Sequence, residues 1–280
     1  MARRFMLVDV FNSGPVSGNP LAVVTAAEGM TSLAMQRLTR WLNLSETAFL
    51  LPPTDPRADY RVRIFTLDRE LPFAGHPTLG SCHAWLATGL APRDPACVVQ
   101  QCDAGLVRIR RDADRYAFAA PEDLRCGPVD EVLVQRLAAY LRIERARILG
   151  ARWVDSGPGW VAVRLASAAE VIALEPAPGF DGQLDLGVVG PHEPGAEAQF
   201  ELRAFFSAPD GTIREDPVTG SLNGSVARWL LETGEARAPY IAAQGTRVGC
   251  RGRVHLSAQP DGTIWVGGRA TTVVAGELAG

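Results

Sequence analysis

The chain has 280 residues, 47% of them hydrophobic, and a formal net charge of −3. This length allows one large domain or two domains of about 100–150 residues. The small net charge, with no long run of like charge, argues against a nucleic-acid or membrane-surface role. No stretch of 18 apolar residues occurs, and the N-terminus has no apolar segment of the signal-peptide type. We therefore expect a cytoplasmic protein without a membrane span.

The basic and sulfur-containing residues narrow the chemistry further. All 28 basic residues are arginine, which excludes a lysine Schiff base, lysine-bound pyridoxal phosphate and a standard Walker A loop. The five cysteines include no C-x-x-C pair, and the four histidines include no H-E-x-x-H motif. We therefore expect neither a metal site nor a disulfide framework.

The first half of the chain predicts strands with two helices among them. A helix is predicted from Ser32, as its N-cap, to Trp41, because its apolar residues recur at helical spacing. A second helix has Pro77 at its first position, where the missing N–H needs no partner, and ends near Gly89. Strands are predicted at residues 5–11, 21–24, 47–51, 60–66, 97–101 and 106–110.

The second half predicts the same order of elements. Residues 121–148 lie outside the repeated pattern and contain a predicted helix at Val132–Leu141 and the domain junction. We therefore expect an α+β fold with mostly antiparallel sheet. The predicted domains are residues 1–120 and 121–280, with the last strand able to pack on the first domain. Strands are predicted at residues 153–155, 160–163, 186–189, 202–206, 246–256 and 263–268.

One loop occurs twice in the sequence. His76-Pro77-Thr78-Leu79-Gly80-Ser81 recurs 140 residues later as Asp216-Pro217-Val218-Thr219-Gly220-Ser221. This alignment predicts two homologous domains and places His76 and Asp216 at equivalent positions. Free N–H groups and the helix dipole at such a helix start attract a carboxylate, so two starts facing each other would hold a small acid. The alternative is that each loop is simply a good helix start.

Glu46 is a third candidate for chemistry. It lies where the first helix gives way to an apolar strand, a poor place for an unsatisfied carboxylate, and the 140-residue offset pairs it with Leu186. Histidine titrates near neutrality, whereas a carboxylate must be shifted by burial or by a like-charged neighbour such as Glu215 beside Asp216. The alternatives are a surface charge for Glu46 and a structural histidine for His76.

Several stretches together resemble one protein family over nearly the whole chain, the phenazine biosynthesis PhzF-like isomerases. The resemblance is carried by the segments 8–11 (VDVF), 18–23 (GNPLAV), 45–47 (SET), 70–80 (ELPFAGHPTLG) and 215–221 (EDPVTGS). It implies the diaminopimelate epimerase-like fold, with two pseudo-symmetric domains that are each a mostly antiparallel sheet wrapped round a central helix. It also implies a cofactor-free site in the interdomain cleft and a homodimer.

The resemblance also assigns roles to residues. Glu46 would shuttle a proton, while His76 and Asp216 would bind and polarise the substrate. The implied substrate contacts are Ser45, Gly75, Thr219, Gly220 and Ser221, of which the last two would hold a carboxylate. Leu222 departs from the small residue of many relatives and is expected to narrow the pocket. Cys82 lies inside a helix rather than at its start, which disfavours the cysteine chemistry of the related epimerases.

We therefore expect a cofactor-independent isomerase that moves a proton within a small carboxylated metabolite. Two alternatives are open. One is an amino-acid racemase or epimerase with Glu46 and Asp216 as its two bases, and the other is a non-catalytic metabolite-binding protein. The expected partners are the substrate and a second copy of the chain, with no nucleic acid and no membrane. The sequence does not identify the substrate.

Overall fold

The computed structural model describes residues 3–112, 114–208 and 210–279. The chain divides into two compact units, the first running to Ala119 and resuming at Val266, the second spanning Ala120–Trp265. The fold is a mixed α/β fold made mostly of strands, with five α-helices among the described residues. None of these helices is long and apolar enough to cross a membrane.

The first unit places one long helix against a sheet. Strand β1 pairs antiparallel with β2, β2 parallel with β3, and β3 antiparallel with β4. Strand β4 then pairs with β5 and β6, and β6, β7 and β8 follow as an antiparallel meander. The elements are β1 (Arg3–Asn12), β2 (Asn19–Val24), α1 (Ser32–Leu42), β3 (Thr47–Leu51), β4 (Tyr60–Phe65), β5 (Glu70–Leu71), α2 (Gly75–Ala87), β6 (Cys97–Cys102), β7 (Gly105–Asp112) and β8 (Arg115–Ala119).

The second unit pairs its strands in the same succession. Strand β10 is antiparallel to β11, β11 parallel to β12, β12 antiparallel to β13, and β13 pairs with both β14 and β15. The last strand, β17, begins in this unit and continues into the first, where it pairs antiparallel with β1. The elements are β9 (Arg125–Pro128), α3 (Glu131–Leu141), β10 (Gly150–Asp155), β11 (Val161–Arg164), α4 (Ala168–Ala173), β12 (Asp185–Pro191), β13 (Phe200–Ser207), β14 (Ile213–Asp216), α5 (Gly220–Glu232), β15 (Tyr240–Gln244), β16 (Gly252–Ala258) and β17 (Ile264–Leu278).

Each unit buries one helix of 13 residues, α2 in the first and α5 in the second. Both helices carry apolar or small residues over most of their surface, which is typical of a helix surrounded by sheet. A Cβ atom on Gly80 would lie 2.5 Å from Cδ2 of Leu21, and one on Gly187 would lie 2.6 Å from Cδ1 of Leu222. Glycine therefore lets each helix pack closely on its sheet without displacing a leucine side chain. Leu222 is fully buried in this contact, so it does not narrow a pocket as we expected.

Helix α1 departs from its prediction at its start, and two of its apolar residues are exposed. Its N-cap is Thr31, whose hydroxyl accepts a hydrogen bond from the N–H of Ala34 at 3.2 Å, so Ser32 is the first helical residue. Trp41 is 80% exposed and Leu33 69% exposed, whereas Met35 is buried. Because successive helical residues are about 100° apart, Leu33 lies roughly 160° from Met35 and faces away from the core.

Strand pairing shows how the two units correspond. In the hairpin of β4 and β5, Phe65 pairs with Glu70. In the hairpin of β13 and β14, Phe205 pairs with Glu215. A phenylalanine opposite a glutamate at the same place in both hairpins makes Glu70 and Glu215 structural equivalents.

An arginine in each hairpin confirms this correspondence. Arg63 donates to both carboxylate oxygens of the β5 glutamate, and Arg203 to both oxygens of the β14 glutamate. The guanidinium carbons lie 5.1 and 4.9 Å from the rings of the two hairpin phenylalanines. The residue after each glutamate is then also equivalent, so the counterpart of Asp216 is Leu71.

The central helices follow the same alignment. Helix α2 begins at Gly75 and helix α5 at Gly220, and both have 13 residues. His76 and Ser221 are therefore equivalent second residues of the two helices. We expected His76 to correspond to Asp216, and this is wrong by five residues. The two Pro-x-x-Gly-Ser sequences lie at different positions relative to the helix start, so aligning them misaligns the two units.

The register also gives Glu46 a different counterpart. The β4 arginine pairs with Phe49 on β3, and the β13 arginine pairs with Val188 on β12. Glu46 precedes Phe49 by three residues, and Asp185 precedes Val188 by three residues. The expected pairing of Glu46 with Leu186 is therefore wrong, and each unit carries an acid at this position.

Candidate active site

In the first unit, Glu46 and His76 lie together at the start of α2. Helix α1 ends with Asn43 in the left-handed conformation, and the chain then turns so that Glu46 precedes strand β3. The Oε2 atom of Glu46 lies 3.7 Å from Nε2 of His76, which is longer than a hydrogen bond. The two predicted residues are thus neighbours without a direct hydrogen bond.

The imidazole of His76 is held in its neutral form. It is 4% exposed, and burial lowers its pKa to about 3, because the charged form loses its hydration. The amide Nδ2 of Asn19 lies 3.4 Å from Nδ1 of His76. In this orientation of the Asn19 amide, its NH2 group donates to Nδ1, which assigns the single ring proton to Nε2, the atom that faces Glu46.

A buried aspartate holds the loop that carries Asn19. Asp9, near the end of β1, accepts hydrogen bonds from the N–H groups of Ser17 at 3.0 Å and Gly18 at 2.7 Å. Burial raises the pKa of Asp9, and these backbone hydrogen bonds oppose the shift. A Cβ on Gly18 would lie 2.0 Å from the carbonyl oxygen of Val10, so only glycine fits there. Sequence reasoning treated Asn19 as part of a family motif and missed its contact with His76.

In the second unit, Asp216 ends strand β14 beside the start of α5. The hydroxyl of Thr219, the N-cap residue of α5, donates to Oδ2 of Asp216 at 2.6 Å. The side-chain amide of Gln244 donates to the same hydroxyl at 2.9 Å and to the carbonyl oxygen of Asp216 at 3.1 Å. Thr219, expected to contact substrate, therefore directs its hydroxyl hydrogen at Asp216.

Glu215, the residue before Asp216, is paired with an arginine. Neighbouring residues of a strand point to opposite faces, and Glu215 forms a two-point ion pair with Arg203, at 2.7 and 2.9 Å. Both members of this pair are largely buried. The charge of Glu215 is therefore matched on the far side of the strand.

Ser221 is oriented by a tryptophan that no sequence motif identifies. The indole Nε1 of Trp160 lies 3.3 Å from Oγ of Ser221. An indole N–H only donates, so the serine oxygen accepts this bond and its own hydrogen is left to donate elsewhere. Gly220 is the first residue of α5, where the backbone N–H groups have no partner within the helix.

The remaining predicted residues occupy less informative places. Gly75 is the buried first residue of α2, and Ser45 is half-buried directly before Glu46. Cys82 lies in the middle of α2, where burial raises the pKa of its thiol. A reactive thiolate is therefore disfavoured at this position. Among the described residues, no group of three or more His, Cys, Asp or Glu side chains could hold a metal ion.

Comparison with known proteins assigns the chain to a family. The family model described as phenazine biosynthesis-like protein (PhzC-PhzF) matches residues 8–276. The chain is 32% identical to antisense-enhancing sequence 1 of Schizosaccharomyces pombe and 31% identical to an uncharacterized isomerase of Pasteurella multocida, over 98% of this chain and 97% and 93% of those proteins. It is 30% identical to trans-2,3-dihydro-3-hydroxyanthranilate isomerase of Pseudomonas chlororaphis over 82% of this chain and 81% of that one.

A solved structure has a similar fold. A predicted epimerase from Pseudomonas aeruginosa matches with a TM-score of 0.80 and 26% identity, over 99% of both chains. The protein is an isomerase, as its named relatives are. It belongs to the PhzF family of phenazine biosynthesis-like proteins.

Proposed function

We propose that the protein is a cofactor-independent isomerase that moves a proton within a small carboxylated metabolite. The observation that carries this proposal is the carboxylate of Glu46, 3.7 Å from the buried and neutral imidazole of His76. A carboxylate beside a fixed donor can take a proton from carbon and return it elsewhere on the same molecule. We call Glu46, His76 and Asn19 the Glu46 group, and Asp216, Thr219 and Gln244 the Asp216 group.

The histidine serves as a donor in this proposal. With its pKa near 3 and its proton on Nε2, His76 has no free lone pair on the atom that faces Glu46. Its N–H instead stabilises negative charge, on Glu46 or on the substrate as a proton leaves carbon. Glu46 is then the group that carries the proton in both directions.

The start of α5 supplies groups suited to holding a substrate. The free hydrogen of Ser221 and the N–H of Gly220 are donors for a carboxylate, which the helix dipole also favours. Asp216, fixed by Thr219, is an acceptor for a hydroxyl or amino group. A substrate with a carboxylate and a neighbouring polar hydrogen can bind both the donors at the start of α5 and the acceptor Asp216.

One observation favours a second candidate function, an amino-acid racemase or epimerase. Such a reaction needs an acid or base on each side of one carbon, and the register gives Glu46 a counterpart in Asp185. The chain also has the fold of a hydroxyproline epimerase from Agrobacterium vitis, with a TM-score of 0.57 and 13% identity. The buried thiol of Cys82 argues against a cysteine-based version.

We also propose a finer description of the assembly. The two units are copies of one diaminopimelate epimerase-like domain, each a mostly antiparallel sheet around its central helix, α2 or α5. The working form is a homodimer located in the cytoplasm. The shared strand succession of the two units supports the first of these statements.

The test uses the compound named in the isomerase of Pseudomonas chlororaphis. Enzyme treated with EDTA is incubated with trans-2,3-dihydro-3-hydroxyanthranilate in D2O, and the product is followed by NMR. We expect conversion without added cofactor, and a loss of roughly 10²- to 10⁴-fold in Glu46→Gln. Glu28→Gln, at an exposed position, is the matched control and should behave as wild type.

Two results would change the proposal. Full activity of Glu46→Gln with wild-type deuterium incorporation would remove Glu46 from the reaction. A parallel incubation with trans-4-hydroxy-L-proline tests the second candidate, and inversion with deuterium at Cα would favour the epimerase over the isomerase.

A further inference from the structure

Each unit has one fully buried glutamine beside the start of its central helix. Gln100 lies on β6 and Gln244 on β15, the strands that run parallel to β4 and β13. The Gln100 amide donates to the Thr78 hydroxyl at 3.0 Å, and the Gln244 carbonyl accepts from the Asn223 amide at 2.8 Å. Thr78 and Asn223 are the fourth residues of α2 and α5, so the two glutamines occupy the same place.

The glutamine of the second unit makes more contacts. Its Oε1 accepts from the backbone N–H of Thr219 at 3.0 Å as well as from Asn223. Its Nε2 donates to the Thr219 hydroxyl at 2.9 Å and to the Asp216 carbonyl oxygen at 3.1 Å. All four hydrogen-bonding positions of the Gln244 amide are therefore used, and three of the four contacts are to Thr219 or Asp216.

These contacts allow only one orientation of the Gln244 amide. Turning the amide over would place its NH2 against two donors and its oxygen against the Asp216 carbonyl oxygen. Because the Thr219 hydroxyl accepts from Gln244, its single hydrogen is free to donate. That hydrogen points to Oδ2 of Asp216, 2.6 Å away.

We propose that Gln244 is a positioning residue for Asp216 and acts through the hydroxyl of Thr219. The inference rests on the proposed function, in which Asp216 holds the substrate. Hydrogen bonds that involve a charged group in a buried site are stronger than neutral ones, and removing one costs about tenfold to a hundredfold in an equilibrium or a rate. The side chain of Gln244 is fully buried, so its effect is relayed and not made by contact with substrate.

The first unit provides the control. Gln100 is equally buried, but the positions equivalent to Thr219 and Asp216 are Ala74 and Leu71, which have no side-chain polar group. The second contact of Gln100 is with the hydroxyl of Tyr60, at 2.9 Å. Gln100 therefore has the structural role alone, and a substitution there measures what burial of this amide contributes to stability.

The first experiment measures positioning without turnover. Gln244→Glu keeps the shape of the side chain but replaces the donor NH2 with an oxygen, so the Thr219 hydroxyl turns from Asp216 to the introduced carboxylate. In protein labelled with ¹³C at aspartate Cγ, we expect the Asp216 resonance, assigned with Asp216→Asn, to shift in Gln244→Glu and in Thr219→Val. It should not move in Gln100→Glu, although both glutamine variants lose a similar amount of thermal stability.

The second experiment measures the effect on turnover. With trans-2,3-dihydro-3-hydroxyanthranilate as the probe, kcat/KM should fall about tenfold to a hundredfold in Gln244→Glu and in Thr219→Val, and less than twofold in Gln100→Glu. Because Gln244 and Thr219 act in one chain of contacts, the double variant should be no slower than the slower single variant.

The outcomes separate this inference from the proposed function. If wild type does not convert the probe, the resonance experiment still decides the role of Gln244. An unmoved Asp216 resonance in folded Gln244→Glu overturns the inference, and so does a Gln100→Glu variant that is slowed as much. If Gln244→Glu does not fold, Thr219→Val carries the test, since it removes the last contact of the chain and leaves the buried amide in place.

Discussion

The start of α2 and the start of α5 are the same structure with different side chains. In both, a hairpin with an Arg–Glu pair leads into a buried 13-residue helix, and a buried glutamine lies beside its first turn. The first unit places a histidine at the second helical position and an alanine at the N-cap. The second unit places a serine and a threonine there, and an aspartate three residues before the N-cap.

Under the proposed function, the chemistry lies where the two units differ. The backbone, the ion pairs and the glutamines are common to both units, so they account for the fold. His76 occupies the position equivalent to Ser221, and Asp216 the position equivalent to Leu71, so the two units differ at both places. The Glu46 group is suited to moving a proton, and the Asp216 group to holding a polar substrate.

After Glu46→Gln, the next largest expected effect comes from removing the charge of the Asp216 group. Asp216→Asn should lower kcat/KM for trans-2,3-dihydro-3-hydroxyanthranilate by roughly 10²- to 10³-fold, because a fixed acceptor for the substrate is lost. Leu71→Asn, the same residue at the equivalent place in the first unit, is the control and should cost less than threefold in the same assay. A comparable loss in both variants would mean that the loop, and not the carboxylate, matters.

A smaller effect is expected from a substitution that tests how the imidazole of His76 is oriented. Asn19→Leu should lower kcat about tenfold, because Nδ1 of His76 loses its donor and the ring proton is no longer confined to Nε2. ¹⁵N NMR of the labelled imidazole reports the proton directly. We expect one tautomer in wild type and a mixture in the variant, and a mixture in wild type would contradict the assignment.

The buried histidine also predicts how stability depends on pH. The pKa of His76 is lowered to about 3, so below its ordinary value near 6.5 the unfolded chain binds a proton that the folded chain does not. The free energy of unfolding should therefore fall as the pH drops from 6.5 to 3, by roughly 1.4 kcal/mol per pH unit from this group. Urea unfolding of wild type and His76→Gln at several pH values isolates the contribution of His76. An equal dependence of the free energy of unfolding on pH in the two proteins would contradict the prediction.

The smallest expected effect tests the asymmetry between the two acids. Asp185 is the counterpart of Glu46 but has a serine, and not a histidine, at the equivalent helix position. If only Glu46 moves a proton, Asp185→Asn should change kcat less than threefold. A loss as large as that of Glu46→Gln would support two-base epimerase chemistry instead.

Much of the fold was predictable because local patterns determine it. The strands β1–β4 and helix α3 fall within a few residues of their predictions, since apolar alternation and helical spacing are properties of neighbouring residues. The family motifs also selected Glu46, His76 and Asp216 from the sequence. The exposure of Trp41 could not be predicted, because spacing alone does not say which side of a helix is covered.

The register of the repeat could not be obtained in that way. Proline, glycine and serine recur at many helix starts, so two Pro-x-x-Gly-Ser loops matched five residues out of step. Strand pairing in the hairpins resolves this, and pairing is a long-range property. The contacts of Asn19, Trp160 and Gln244 could not be predicted for the same reason. Each contact joins residues that are 21 to 61 positions apart in the sequence.

The most direct test of the account is the ratio of deuterium incorporated to product formed in D2O, measured for Glu46→Gln and Asp216→Asn with trans-2,3-dihydro-3-hydroxyanthranilate. If the Glu46 group moves the proton and the Asp216 group holds the substrate, Asp216→Asn should keep the wild-type ratio while turning over slowly. Glu46→Gln should lose incorporation together with turnover. Incorporation that persists in Glu46→Gln and disappears in Asp216→Asn would contradict the division of roles.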